Sequence, residues 1–324
     1  MTGATGFLGG EVVKQLIGRG HQVAALVRSA DKASFLKILG VDVHVGDITE
    51  RDTLRAPMEN ADGVFHVAAW YKIGVRREDS SSAERVNVGG TRNVLETARE
   101  LGIARVVYTS TVGVFGDTHG KLVDENYYAS GPFLTEYDRT KWMAHYEVAL
   151  PMARAGLPLV IAMPGTVYGP GDTSAIQATL VQLLRGRLHT TPRGVQFCWG
   201  YIADVARGLQ LAMDNGRIGD SYLLTGPVHE FEEAFDLAAR LAHKRMPFFH
   251  PRPWVMRALA SLEGALERWD VHGPVLAETL RLMAGTSWIG SSAKAESELG
   301  FSARPLEEGL RHTIEHELRQ LGMS

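Results

Sequence analysis

Two side chains in this 324-residue chain stand at a spacing suited to proton transfer. Tyr137 and Lys141 lie four residues apart in Tyr137-Asp138-Arg139-Thr140-Lys141, so a helix sets the phenol and the ammonium on one face. A free phenol titrates near pH ~10, too high for efficient exchange at neutral pH. A neighbouring ammonium favours the phenolate and lowers that pKa toward the working range. Alone the tetrad is a weak signal, because Tyr and Lys meet at this spacing by chance on many helices. A second feature adds to it: Val106-Val107-Tyr108-Thr109-Ser110-Thr111 is an apolar run ending in three hydroxyls. Ligands bind at the carboxyl ends of strands in an open α/β sheet. A hydroxyl there, 26 residues before Tyr137, is suited to bond a substrate oxygen while the phenol exchanges its proton. The same run also reads as an ordinary β-branched strand end.

A third group of residues points to a phosphate. Thr2-Gly3-Ala4-Thr5-Gly6-Phe7-Leu8-Gly9 spaces glycines at 3, 6 and 9 and opens an amphipathic segment. Glycines at such a turn let the backbone approach a pyrophosphate, whose charge then rests on the helix N-terminus. Gly3, Thr5, Gly6, Phe7, Leu8 and Gly9 are therefore candidate cofactor-binding residues of a dinucleotide site. The motif should follow a strand, yet only Met1 precedes Thr2. Either the true start lies upstream, or the sheet lacks the strand beside its own phosphate turn. An NAD site places Asp or Glu about 20 residues on, at the end of the second strand. Here that place holds Val27-Arg28-Ser29, with Asp31 and Lys32 close behind. The planar Arg28 fork suits a ribose 2′-phosphate, so NADP(H) is favoured over NAD(H), while Asp31 keeps an NAD role open. Asp47 and Ile48 in Gly46-Asp47-Ile48 join the cofactor set: Asp47 is suited to an adenine amino group, or to a turn.

These residues need elements to position them. Gln22–Val27, Val41–Val45, Gly63–Val67, Arg105–Thr109 and Leu157–Met163 read as short buried strands. Between them Phe7–Gly20, Ala83–Leu101 and Glu136–Ala155 read as helices. The alternation predicts an α/β fold, a doubly wound parallel sheet of Rossmann-like kind. After about Gly169 helices dominate (Ile176–Gly186, Asp204–Asn215, Glu230–His243, Trp254–Arg268, Pro274–Ala284 and Leu306–Leu321), with short strands at Phe197–Ile202 and Ser221–Leu224. The expected division is a dinucleotide-binding domain over 1–168 and a smaller, mostly helical C-terminal substrate lobe over 169–324. Asp204 reads as a helix N-cap.

Composition narrows the function classes. With 34 Lys+Arg against 37 Asp+Glu, the formal charge of −3 carries no basic bias toward nucleic acid. The single Cys198 cannot form an internal disulfide and reads as a passive core thiol. No run approaches the ~20 apolar residues of a membrane span. The N-terminus lacks a signal-peptide pattern, HExxH is absent, and one Cys forbids zinc-ribbon spacing. The expectation is a cytoplasmic protein acting on a small molecule, with no metal, nucleic acid or membrane partner.

Taken together, these motifs resemble the extended short-chain dehydrogenases/reductases of the NAD-dependent epimerase/dehydratase type, and loosely the dihydroflavonol 4-reductase-like proteins among them. The resemblance also rests on His66-Val67-Ala68-Ala69, Asn87-Val88-Gly89-Gly90-Thr91-Arg92-Asn93-Val94, Pro164-Gly165-Thr166-Val167-Tyr168-Gly169-Pro170-Gly171-Asp172, and the ending Ser292-Ala293-Lys294…Glu298-Leu299-Gly300-Phe301. It implies that Tyr137 is the acid/base, Lys141 its activator and a ribose ligand, and Thr111 the catalytic hydroxyl, with Ser110 as the fallback. It implies cofactor contacts at Ala68, Ala69, Asn87, Thr109, Pro164, Gly165 and Val167. It also implies a homodimer through the helices at Ala83–Leu101 and Glu136–Ala155, for which Val86, Val94, Leu95, Met143 and Val148 offer apolar contacts.

One departure separates two activities. Nucleotide-sugar members carry an Arg-Asp-Tyr-Ile-His-Val-x-Asp stretch whose Arg binds the substrate pyrophosphate. Aligned on Asp204, this chain has Phe197 in place of that Arg and Tyr201 in place of the His, though Arg185, Arg187 and Arg193 lie close in sequence. Four Trp (199, 254, 269 and 288) fall in the C-terminal half, in the core or lining an apolar pocket. The favoured reading is an NADP(H)-dependent oxidoreductase moving a hydride between nicotinamide and a carbonyl or secondary alcohol. The alternative is an NAD-dependent nucleotide-sugar epimerase/dehydratase. A dinucleotide-sensing protein without turnover is disfavoured by the intact Thr, Tyr and Lys.

Overall fold

The computed structural model describes residues 1–72, 80–267 and 277–323, with the backbone alone described at 264–267 and 277. Its strands are β1 (Ala24–Val27), β2 (Asp42–Val45), β3 (Val64–His66), β4 (Val106–Thr109), β5 (Leu159–Pro164), β6 (Thr166–Tyr168), β7 (Gln196–Tyr201), β8 (Ser221–Leu224), β9 (Val228–Glu230) and β10 (Ser287–Trp288). β1 pairs with β2, and β3-β4-β5-β8 follow in order, all parallel. Met1 and Thr2 join the two sets. Thr2 N–H donates to Phe65 O at 3.0 Å, Leu26 N–H donates to Met1 O at 2.9 Å, and Thr2 bridges in parallel to both Leu26 and His66. Two residues thus hold the place of the strand expected before the glycine turn, and the strand order reverses across them.

β1, β3, β4, β5 and β8 are buried on both faces, which is why they read as apolar runs, whereas the edge strand β2, expected to be buried, leaves Asp42 and Val45 exposed. Side chains alternate along each strand. Val106, Tyr108, Leu159 and Ile161 enter one core with Val94, Leu95 and Val148. Val107, Val160 and Ala162 enter the other with Val12, Leu16 and Leu209. Of the apolar residues suggested for a dimer, Val94, Leu95 and Val148 are buried within their own chain, while Val86 and Met143 are partly exposed. The helices expected over 83–101 and 136–155 each contain a wide π-type turn, at Arg85–Gly90 and Ala144–Ala149. Such turns re-aim side chains and are frequent at functional sites.

The second part of the molecule is less purely helical than expected. β10, β7 and β6 form a small parallel sheet, and β9 pairs antiparallel to β7. β6, β9 and β10 have three residues or fewer, too few to show an alternation in the sequence. The chain also crosses back after 168: helix Ile202–Asn215 packs with helix Phe7–Gly18, and β8 pairs with β5. Asp204 is not the cap of its helix, which begins at Ile202. Its carboxylate instead accepts from the Arg304 N–H at 3.0 Å and from the guanidinium at 2.8 Å, which ties the C-terminal segment to this helix. Cys198 is buried with its thiol pushed up to about 11, as a passive residue requires. Trp199 is in the core and Trp254 is exposed, while Trp269 and the ends of two expected helices, at 268 and 274–276, lie outside the described residues.

His66 ties the Met1–Thr2 junction to the helix behind it. Its ring bonds Thr2 Oγ1 at 2.8 Å and Thr91 Oγ1 at 3.0 Å, fully buried. Burial, with help from the Lys141 charge, holds its pKa down at about 3. An unfolded His titrates near ~6.5, so below that pH the unfolded chain takes up the proton first and this stabilising contribution fades as pH falls toward 3. His66→Ala is expected to cost about 2–4 kcal/mol at neutral pH, from the cavity and the hydrogen bond that each of two buried hydroxyls loses. Thermal unfolding across pH should show the gap to the wild type narrowing below about pH 6.5. A constant gap would remove the buried neutral imidazole as its cause.

Candidate active site

A cleft of about 1020 Å³ opens where β1, β3, β4 and β5 end, at the point where strand order reverses. Its size accommodates a dinucleotide with a small substrate. The glycine turn forms one wall. Gly3 has φ +75°, and a Cβ there would lie 2.6 Å from the Ala68 nitrogen. A Cβ on Gly9 would lie 2.0 Å from the Gly3 carbonyl oxygen. Helix Phe7–Gly18 starts from Gly6, so no side-chain cap competes for the amides of its first turn.

The structure brings nearly all the sequence-derived candidates to this cleft. Gly3, Thr5, Gly6, Phe7, Leu8 and Gly9 line it, followed by Arg28, Asp47, Ile48, Ala68 and Ala69. Thr109, Thr111, Tyr137, Lys141, Pro164, Gly165 and Val167 complete the set. Asp47 also builds its own turn, accepting from Thr49 N–H and Thr49 Oγ1 at 2.9 Å each. Asn87 is the one candidate placed behind the wall. Its amide accepts from Trp70 N–H at 2.7 Å and donates to Trp70 O at 3.0 Å and Thr140 Oγ1 at 2.9 Å. It therefore pins the segment after β3 to the helix that carries Tyr137.

That helix spans Glu136–Met143 and is capped by Thr135, whose hydroxyl accepts from Asp138 N–H at 3.0 Å. Tyr137 reaches the cleft from its first turn, with Tyr71 edge-on to the ring at 4.8 Å. Thr111 Oγ1 accepts from Gly113 N–H at 3.1 Å and lies near enough to the Tyr137 phenol to oppose part of its upward shift, while Ser110 Oγ is taken up by His145 Nδ1 at 2.8 Å. Both hydroxyls line the cleft, and Ser110 is the one engaged by a buried side chain. Lys141 departs from the expected geometry: its ammonium donates to Thr109 O at 2.7 Å and Tyr108 OH at 3.0 Å, not to Tyr137. Burial brings Lys141 down to about 7. The Tyr137 phenol is pushed up, chiefly by burial and then by Tyr71 and Asp138, and is not lowered by Lys141.

Thr109 Oγ1 is buried at the cleft wall with no hydrogen-bond partner among the described residues. A ligand hydroxyl there would satisfy it. With the glycine cradle and the uncapped helix start, the residues present fit a nicotinamide dinucleotide. Sequence reasoning passed over Asp138, Trp70 and Tyr71, and it named Phe197 and Trp288 without pairing them. Asp138 sits inside the tetrad, but its burial and a pKa raised to about 7 depend on packing against Gly113 and Thr135. Trp70 and Tyr71 line the cleft from the segment after β3. Phe197 and Trp288 stack with centroids 5.6 Å apart at an angle of 16°, both facing the cleft.

The model of the NAD dependent epimerase/dehydratase family matches residues 1–224. The chain belongs to that family. It is an NAD(P)-dependent enzyme of the short-chain dehydrogenase/reductase type. Among its relatives is sterol demethylase protein B of Methylococcus capsulatus, 33% identical over 272 residues, covering 83% of this chain and 81% of the relative. Another is a Synechocystis protein provisionally named dihydroflavonol 4-reductase, 32% identical over 330 aligned positions, covering 97% and 92%. The crystal structure of gox2253 superposes with a TM-score of 0.84 at 29% identity, covering 99% and 98%.

Asp138 gives this epimerase/dehydratase-family site a testable signature. An unfolded Asp titrates near ~3.9 and the folded one near 7, so the folded state holds the proton longer. Its contribution to stability therefore falls as pH rises from about 4 to 7 and then levels off. Asp138→Asn removes that falling limb. In denaturant unfolding, the variant should gain stability relative to wild type over this window, and parallel profiles would overturn the assignment.

Proposed function

We propose that this enzyme is an NADP(H)-dependent carbonyl reductase, reversible as an alcohol dehydrogenase, whose substrate carries a flat apolar body. The Phe197–Trp288 stack, in the same cleft as Thr111 and Tyr137, carries the reading. Beside it lie Ile176 and Leu282. Phe197 stands where nucleotide-sugar enzymes resembling this one have their pyrophosphate-binding Arg, and an aromatic ring cannot neutralise a diphosphate. The neighbouring arginines do not replace it. Among the described residues Arg185, Arg187 and Arg193 are absent from the cleft lining, and Arg193 pairs with Glu232 at 3.1 Å. The names of the sterol and dihydroflavonol relatives, both with polycyclic substrates, support the same class.

When bound, the cofactor supplies or accepts the hydride. The turn over Gly3–Gly9 would hold its pyrophosphate, Arg28 its 2′-phosphate and Asp47 its adenine. Thr111 donates to the substrate oxygen and orients the carbonyl. Tyr137 gives its proton to that oxygen as the alcohol forms, and takes it back in the reverse direction. The Lys141 ammonium, held by Thr109 O and Tyr108 OH on the cleft wall, would meet the cofactor ribose. The aromatic pair excludes water from the apolar part of the substrate.

Tyr137→Phe should leave cofactor binding intact and lower turnover by ~10²-fold or more. Thr111→Ala should also slow turnover, whereas Ser110→Ala should act on stability through His145. Slow chemistry in Ser110→Ala alone would reverse the roles of the two hydroxyls. The readout is ketone reduction across a panel that includes nucleotide sugars.

Arg28 tests the cofactor. A charge-assisted contact to the 2′-phosphate is worth about 1.5–3 kcal/mol, roughly one to two decades in affinity. Arg28→Asp should weaken NADPH by that amount and NADH little, measured by fluorescence titration. A wild-type preference for NADH, or an unchanged NADPH/NADH ratio in the variant, would count against the reading.

A further inference from the structure

Residues 237–262 contain Arg240, Lys244, Arg245, Arg252 and Arg257 and no Asp or Glu, in a chain of formal charge −3. The same stretch leaves large apolar side chains in solvent: Phe248 is 80% exposed, Trp254 63%, Leu262 59% and Phe249 56%. A soluble surface rarely exposes so many large apolar groups within one short stretch of chain. Their backbone is firmly held. Phe249 N–H donates to His189 O at 3.2 Å, Phe249 O accepts from Thr191 N–H at 3.1 Å, and His250 Nδ1 bonds Thr191 Oγ1 at 2.9 Å. The rings of Phe248 and Phe249 are therefore presented outward from an anchored segment. Lys244, Arg245 and Arg252 form no ion pair with a carboxylate among the described residues.

We propose that residues 243–262 form a docking face for an anionic lipid surface. Exposed aromatic and aliphatic side chains enter the boundary between headgroups and acyl chains, while surrounding cations meet the negative headgroups. A two-fold contact with a second copy is disfavoured, because it would set this cationic face against itself. No helix among the described residues is long and apolar enough to cross a membrane, so the contact lies on the surface. The lack of a spanning segment, which led to the expectation of no membrane partner, does not bear on such a face. The face also lies next to the cleft. Helix Pro253–Glu267 packs on helix Ala277–Leu282, Leu282 lines the cleft, and Arg257 donates to Ala284 O at 3.1 Å. An apolar substrate dissolved in lipid would meet the enzyme on this side. The docking face itself is independent of the reductase reading.

Co-sedimentation with lipid vesicles tests it without any substrate. The wild type should bind phosphatidylcholine vesicles containing about one-third phosphatidylserine, not pure phosphatidylcholine, and bind less as salt rises. Phe248→Asp should lower the partition coefficient at least about tenfold, and Arg245→Glu at least about fivefold. Both variants should keep the wild-type unfolding temperature and dinucleotide affinity, since neither residue lines the cleft. Three results would overturn the proposal. One is no binding of wild type to the anionic vesicles. Another is binding that both variants leave unchanged. The third is self-association in sedimentation velocity that Phe248→Asp abolishes, which would assign the face to a second copy.

Discussion

Backbone packs against backbone at Gly3 and Gly9 so closely that no Cβ fits, and the cleft depends on this approach. Gly3 presses on the peptide of Ala68 after β3, and Gly9 presses on Gly3 itself. The start of helix Phe7–Gly18 is thereby fixed against the sheet at the point where strand order reverses. Among the described residues Met1 and Thr2 connect the two halves of the sheet there, with His66 beneath them. A side chain at either glycine would push the turn off β3 and move the helix start away from the phosphate position.

Desolvation governs the chemistry inside that frame. Charged forms are costly where water is excluded, so burial drives ionisable groups toward neutrality. Lys141 is brought down and Asp138 up until both sit near 7, while His66 and His145 stay neutral. These are two groups of opposite type on one helical turn, each shifted toward its neutral form by burial. Perturbed groups gathered around an open wall are a mark of a working site. The orphaned hydroxyl of Thr109 is consistent with that, since a buried donor without a partner is tolerated where a ligand completes it.

The cleft is polar at one end and apolar at the other. Arg28, Asp47 and the glycine turn suit phosphates and a ribose, whereas Phe197, Trp288, Ile176 and Leu282 suit a ring system. Leu282 of helix Ala277–Leu282 closes the apolar end, and helix Pro253–Glu267, packed on that helix, carries Trp254 and Leu262 of the proposed docking face. A lipid-facing surface beside an apolar pocket would shorten the path of a poorly soluble substrate through water.

Local signals were enough for the glycine turn, the Tyr137–Lys141 pair and the strands of the main sheet. Glycine spacing, helical spacing and β-branched runs are each set by residues a few positions apart. The hydroxyl series after β4 was legible too, but not which member acts. The partners of these two hydroxyls lie on different elements: His145 takes Ser110 Oγ, while Thr111 Oγ1 accepts from Gly113 N–H. Tertiary structure likewise decided that Lys141 turns to Tyr108 and Thr109, that Asn87 braces Trp70, and that Asp204 binds Arg304 instead of capping its helix. Phe197 was visible as a departure from a phosphate-binding pattern, yet its stacking partner Trp288 comes from a two-residue strand far along the chain. Spacing in sequence determines which side chains share a face of one element. Contacts between elements, and the pKa values that burial imposes on them, exist only once the chain has closed around its two cores.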